Sequence, residues 1–405
     1  MTRVARARRA LPFVAAVLLV WTVLRAVTAV ILVWIAQTQQ DPVVFSGDVP
    51  RYFDLATLWD GKWYERIATQ GYPAQLPQDS LGRVQQNAWA FYPVFPYLVR
   101  ALMALSGWPF AIAAPLLATV LGYAAALVIA GLLRERVGAA AALGAVALLG
   151  AFPAAPALQV AYTESLALLL LATVLWLLGR RRWWTAAAVA LVIGLTRPIA
   201  LPLGLVALVA VLVRWRSRAA HPLEQGEMLA MAATLVSCAV SGLLWPVVVW
   251  WATGRADGYP VTMSAWRGGE PITAFVPIMQ VSQFLLGDIA GPLGLLLLAV
   301  LLLVAVLGPW AAGLGVELRT WCVGYPLYLA AALDPWTSIY RYLLPLFPLF
   351  VLMVGGGWSS MGRRTASPGW LLVARTATIA ALFIGWQVWW SWELFRFEPP
   401  SDYPP

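Results

Sequence analysis

Lysine is all but missing from this chain: Lys62 is the only one among 27 basic residues, and every other is arginine. Histidine occurs once, at His221, and cysteine twice, at Cys238 and Cys322. One imidazole inside a basic cluster leaves no histidine-based metal site. Two cysteines far apart in apolar runs read as small hydrophobes rather than as a disulfide or a metal pair. Charge is scarce too, at 11% of 405 residues, which excludes a soluble globular protein. There is no Walker loop, dinucleotide glycine pattern, paired zinc-ligand motif or nucleophile elbow. Any reaction must then use carboxylates, arginines and an activated substrate.

What is present is hydrocarbon. Hydrophobic residues make up 61% of the chain, and the mean hydropathy is +0.77. A bilayer core of about 30 Å needs about 20 apolar residues per helix, and the runs here are of that order, too long for barrel strands. The sequence therefore predicts an all-α integral membrane protein, one polytopic domain over residues 1–405 with about eleven spans and no soluble domain. The net charge of +9 is distributed in short arginine clusters between apolar runs: Arg3 to Arg9, Arg134 with Arg136, Arg180 to Arg182, Arg214 to Arg218, and Arg363 with Arg364. That is the positive-inside signal of a plasma-membrane protein with a cytoplasmic N-terminus, not the footprint of nucleic acid.

The first span, about Leu11 to Gln37, is read as uncleaved. Arg25 in its outer half is either a functional residue or one that snorkels to the headgroups. Residues 37–108 form a large first extracytoplasmic loop, with Phe91 to Gly107 read as interfacial or re-entrant so that later arginine clusters stay inside. The following spans are Pro109 to Leu133, Ala139 to Leu158, Thr163 to Gly179, Trp183 to Thr196, Pro198 to Val213 and Glu227 to Ala252. Ile289 to Ala312, Thr320 to Leu333, Tyr342 to Trp358 and Trp370 to Trp392 complete the set. Of the 18 acids, only Glu135, Glu224, Glu227 and Glu317 then fall inside. The outer face carries the polar chemistry. Spans near Arg197 are short for a bilayer, which predicts that they end at a water-filled cavity.

Trp59 to Tyr72 concentrates that chemistry. At helical spacing Asp60, Tyr64 and Ile67 share a face, while Lys62, Glu65 and Arg66 lean elsewhere, as in a helix along a membrane surface. Asp60 is the candidate general base, able to take a proton from a hydroxyl attacking an activated carbon; the plainer alternative is a helix N-cap. Outside the cell there is no nucleotide pool, so an activated sugar would arrive on a lipid. Arg197 and Arg341 lie outside the cytoplasmic clusters and suit a lipid phosphate; Lys62 is grouped with them. Glu164 opens a long apolar helix and points to the same cavity, or merely favours the helix N-terminus. Tyr64, Tyr92, Tyr162 and Asp54 are candidate positioning residues. Asp48, Asp54 and Asp60 are the acids that could hold a divalent metal, without a histidine or tight acidic motif beside them.

Several motifs occur in order: Trp59-Asp60 with Tyr64, Ile67-Ala68 and Gly71-Tyr72; Phe91-Tyr92-Pro93 with Pro96; Ala161-Tyr162 with Glu164-Ser165-Leu166; Gly194-Leu195-Thr196-Arg197-Pro198; and Arg341-Tyr342-Leu343-Leu344-Pro345. Together they resemble the PIG-V-like mannosyltransferases, membrane glycosyltransferases of the GT-C type. The resemblance implies transfer of mannose from a polyprenyl-phosphate donor to a glycolipid or glycan acceptor on the extracytoplasmic face, with inversion. It implies Asp60 as the catalytic carboxylate of the first large outer loop. The arginine-rich, nearly lysine-free composition resembles that of a high-GC bacterium such as an actinobacterium. A flippase for lipid-linked sugars is the rival, but such a protein should line a path through the bilayer midplane, whereas these candidates gather at one face.

Overall fold

The computed structural model describes residues 3–39, 51–270, 273–336, 338–357 and 369–396, with side chains from residue 12 onward. Asp48 lies outside the described residues. Among them there are helices and no strands. In chain order these are α1 (Arg3–Gln37), α2 (Tyr52–Leu55), α3 (Asp60–Gln70), α4 (Val94–Ser106), α5 (Phe110–Val137) and α6 (Ala139–Ala151). Then come α7 (Glu164–Gly179), α8 (Trp183–Gly194), α9 (Ala200–Arg216), α10 (Gln225–Thr253), α11 (Gly258–Ala265) and α12 (Val276–Leu286). The last are α13 (Ala290–Leu307), α14 (Gly315–Ala332), α15 (Ile339–Leu343), α16 (Pro348–Met353) and α17 (Gly369–Phe395).

Among the described residues, six helices are long and apolar enough to cross a membrane: those over Pro12–Gln37, Phe110–Val137, Ala200–Ala219, Gln225–Thr253, Ala290–Leu307 and Gly369–Phe395. Five more apolar helices are shorter, among them α4, α6, α7 and α8. With 12 residues, α8 rises only about 18 Å, well short of a bilayer core. It lies along α10, and at Gly194 an added Cβ would strike the backbone of Ser241. Small residues of this kind let membrane helices pack closely. The same logic governs α5 and α6, whose buried faces are rich in alanine. At the periphery, α13 buries only Gly291 and Val306 and shows leucine on every side, as a helix solvated by lipid would.

Three expected spans are interrupted; the run predicted from Ile289 to Ala312 ends its α-helix at Leu307, and a 3₁₀ turn follows over Pro309–Leu314. The run predicted from Ala139 to Leu158 ends its α-helix at Ala151, and a 3₁₀ turn follows over Ala155–Leu158. The run predicted from Tyr342 to Trp358 is broken into α15, a 3₁₀ turn at Leu344–Leu346, and α16, and its far end at Trp358 lies outside the described residues. Proline explains all three, through Pro309 in the first run, Pro153 and Pro156 in the second and Pro345 and Pro348 in the third, since each lacks an N–H and clashes with the preceding turn. The carbonyl of Pro345 accepts the buried indole N–H of Trp321 at 2.8 Å.

Arg25 neither snorkels nor joins the candidate site. It is buried, and its two terminal nitrogens donate to the carbonyls of Ala155 and Gly150, each at 2.7 Å. It thus satisfies backbone oxygens where α6 ends, a favourable place for a cation. Near the C-terminal end of α7 and beyond, acids pair with arginines of the basic clusters: Glu317 with Arg136 (3.0 Å), Glu227 with Arg214 (2.6 Å), and Glu135 with Arg180.

Candidate active site

The chemistry assembles from the first residues of α3 and α7, the turn after α8 and the short helix α15. Trp59 adopts φ 56°, a left-handed backbone rare for a bulky residue, and directly after it α3 begins with Asp60. Such strain persists only where the surroundings enforce it. Here α3 is amphipathic: Gly61, Tyr64, Ile67 and Ala68 are buried, whereas Lys62 and Arg66 are exposed. Its N-terminus rests against the segment before α7, where the amide of Ala161 donates to the carbonyl of Ala56 at 2.7 Å. The turn after α8 is tied to the start of α4 by the amide of Val94 donating to Leu195 O at 3.2 Å.

These connections bring together Asp60, Glu164, Arg197 and Arg341. Arg341 Nη1 donates to Asp60 Oδ2 at 2.7 Å and to Glu164 Oε1 at 3.3 Å. Arg197 Nη2 donates to the same Glu164 oxygen at 3.1 Å. The second nitrogen of Arg341 donates to Ser338 Oγ at 3.2 Å. Two carboxylates and two guanidiniums balance in charge, as a buried ionic group must. Exposure is unequal within the cluster. The side chains of Glu164 and Arg341 are 2% and 5% exposed, while that of Asp60 is 25% exposed. Asp60 is thus the carboxylate that a substrate can reach, with Oδ1 left over from the arginine contact.

Aromatic rings frame the arginines. The guanidinium of Arg341 lies 4.8 Å from the centre of the Tyr162 ring, and Arg197 lies 5.2 Å from that of Tyr342. Tyr162 Oη and Arg341 Nε are buried without a hydrogen-bond partner among the described residues. A buried unsatisfied donor of this kind costs about 1–3 kcal/mol, so both atoms would gain from a ligand oxygen.

Other candidates go elsewhere. Lys62 pairs with Glu65 at 3.3 Å on the outer face of α3. Asp54 Oδ2 accepts from the amide of Arg51 at 2.8 Å, closing the short helix α2. Tyr64 packs edge-on against Phe91 and Phe95, and its hydroxyl lies 3.4 Å from Thr163 Oγ1. Tyr92 shares a 3.0 Å hydrogen bond with Tyr259 in the wall of the adjoining cavity. Among the described residues, no three histidines, cysteines or acids are grouped to hold a metal.

That cavity, of about 640 Å³, is lined by Arg197, Tyr92, Tyr259, Arg267, Tyr325, Tyr328 and Tyr342 among apolar residues. It shares Gly242 and Tyr328 with a more apolar cavity of about 730 Å³ between α9, α10 and α14. The second cavity is lined by Leu201 and Leu327, which are 75% and 57% exposed on the outside of the bundle. Sequence reasoning missed Tyr342, Tyr259, Tyr325 and Arg267. Arg267 carried a usable signal, an arginine that stands apart from the basic clusters between apolar runs. The tyrosines carried none, because packing uses the same residue.

Compared with known proteins, the chain matches no family profile and no curated protein.

Proposed function

We propose that this protein is a membrane glycosyltransferase that moves a sugar, mannose by the resemblance of its motifs, from a polyprenyl-phosphate donor to a glycolipid or glycan acceptor on the extracytoplasmic face. The observation that carries the proposal is the linked set Asp60, Arg341, Glu164 and Arg197, drawn from residues up to 281 apart in sequence. Arg197 and Arg341 hold the donor phosphate by charge-assisted bonds, and Glu164 fixes both guanidiniums from beneath. The donor's lipid chain lies in the apolar cavity between α9, α10 and α14, which leads to the arginine-lined one.

In the reaction, an acceptor hydroxyl oxygen forms a bond to the anomeric carbon as that carbon's bond to the phosphate oxygen breaks. The hydroxyl proton passes to Asp60, and the polyprenyl phosphate leaves with its charge met by the arginines. Attack opposite the leaving group inverts the centre, so a β-linked donor gives an α-glycoside. No step requires a metal; whether a divalent ion assists is read by assaying with and without chelator.

The eleven-span GT-C architecture and the plasma-membrane location with N-terminus inside belong to the same proposal. The test is transfer by protein purified in lipid, with radiolabelled polyprenyl-phosphate mannose and a membrane lipid extract as acceptor. Labelled glycolipid is expected. Donor binding without any product would favour the flippase instead.

A further inference from the structure

Beyond the arginine-lined cavity lies a third one, of about 520 Å³, whose wall includes Arg267, Glu270, Gln280, Phe284, Asp334 and Trp336. It has Arg267 and Ala332 in common with the arginine-lined cavity, so the two adjoin. It is also tied to the proposed reaction centre by the chain itself. Trp336 lies in the short connection from α14 to α15, and Ser338, two residues on, accepts a hydrogen bond from Arg341.

The chemistry of the walls differs from that of the donor cavity. Glu270 and Asp334 outnumber the one guanidinium, which repels a phosphate. Trp336 and Phe284 meet edge to face with ring centres 6.1 Å apart, and they are 53% and 77% exposed. A broad exposed indole face beside two carboxylates and an amide matches a neutral pyranose: its apolar C–H face packs on the ring, and its hydroxyls donate to the carboxylates. The volume falls within the ordinary range for a small-ligand site, about 300–1,000 Å³.

We infer that this third cavity is a binding subsite for the neutral sugar of the acceptor, with Trp336 as its stacking platform and Gln280 as a hydroxyl partner. Its role as acceptor site rests on the glycosyl-transfer reading, whereas its capacity to bind sugar does not. Charge sorts the two substrates: the anionic lipid phosphate goes to Arg197 and Arg341, and the uncharged ring goes to the acidic, aromatic wall across Arg267.

The test is saturation-transfer NMR with α-mannobiose on full-length protein in lipid nanodiscs, comparing wild type with Trp336→Ala and Gln280→Ala, and with polyprenyl phosphate binding measured in parallel. Wild type should bind the disaccharide, each variant should lose at least tenfold in affinity, and polyprenyl phosphate binding should not change. No disaccharide binding by wild type, or binding by both variants equal to that of wild type, would overturn the inference. So would loss in Trp336→Ala alone accompanied by loss of polyprenyl phosphate binding, which marks Trp336 as an anchor at the membrane surface. The two proposals fail separately. Wild-type transfer with an unchanged acceptor KM in Gln280→Ala removes the subsite and leaves the enzyme. Disaccharide binding that depends on Trp336, in a wild type that transfers nothing, supports the subsite and removes the enzyme reading.

Discussion

Glu164 meets two guanidiniums with a single carboxylate oxygen, at 3.1 and 3.3 Å, and is almost wholly buried. Removing its charge leaves both cations short of a partner in a site that water barely enters. Breaking a buried pair in this way costs about 3–5 kcal/mol. Glu164→Gln should therefore lower the melting temperature markedly, as well as activity, in a thermal scan of detergent-solubilised protein. Lys62 gives the contrast. Its ammonium pairs with Glu65 while the side chain is 57% exposed, and such surface pairs contribute about 0–1 kcal/mol. Lys62→Ala should leave both the melting temperature and sugar transfer close to wild type; a loss of donor affinity would restore Lys62 to the site. Its sequence position misleads because two residues along a helix turn a side chain about 200° away from Asp60.

At the scale of elements, the contact between α8 and α10 sets where Arg197 stands, three residues beyond Gly194. A methyl at Gly194 would run into the backbone of Ser241, which cannot swing aside as a flexible side chain would. Gly194→Ala should cost about 1–3 kcal/mol in stability and weaken donor binding by displacing Arg197, read by melting temperature and polyprenyl-phosphate affinity. The positions of α5, α7, α8, α9 and α10 were legible in the sequence, because apolar runs and the arginines between them mark helix ends directly. The break at Pro345 and Pro348 was not, since hydropathy records composition and ignores the lost N–H groups. Asp60, Glu164, Arg197 and Arg341 stood out for the opposite reason: an ionisable residue in an apolar chain is costly enough to need an explanation. Their mutual contact was not readable, because nothing in the spacing of the four motifs fixes how α3, α7, α9 and α15 fold together. Arg25 shows the limit of that reasoning, as its cost is met by the carbonyls at the end of α6.

For the whole molecule, the proposed orientation puts the cluster outside and the paired arginines of Arg136, Arg180 and Arg214 inside. Cys238 and Cys322 are free and buried, so introduced cysteines can be labelled over a low background. An impermeant maleimide added to intact cells should label Leu81→Cys directly and Arg218→Cys only after permeabilisation; the reverse pattern would invert the topology. In the proposed glycosyl transfer Asp60, the exposed end of a buried ionic cluster, takes the acceptor proton. The decisive comparison is wild type against Asp60→Asn for transfer from radiolabelled polyprenyl-phosphate mannose in lipid. Loss of a proton acceptor should lower the rate by about 10²–10⁴-fold with donor binding retained, and the melting temperature should fall less than in Glu164→Gln, because Asp60 is 25% exposed and Arg341 keeps Glu164 as a partner. A variant as active as wild type would remove Asp60 from the mechanism and pass the role to another carboxylate.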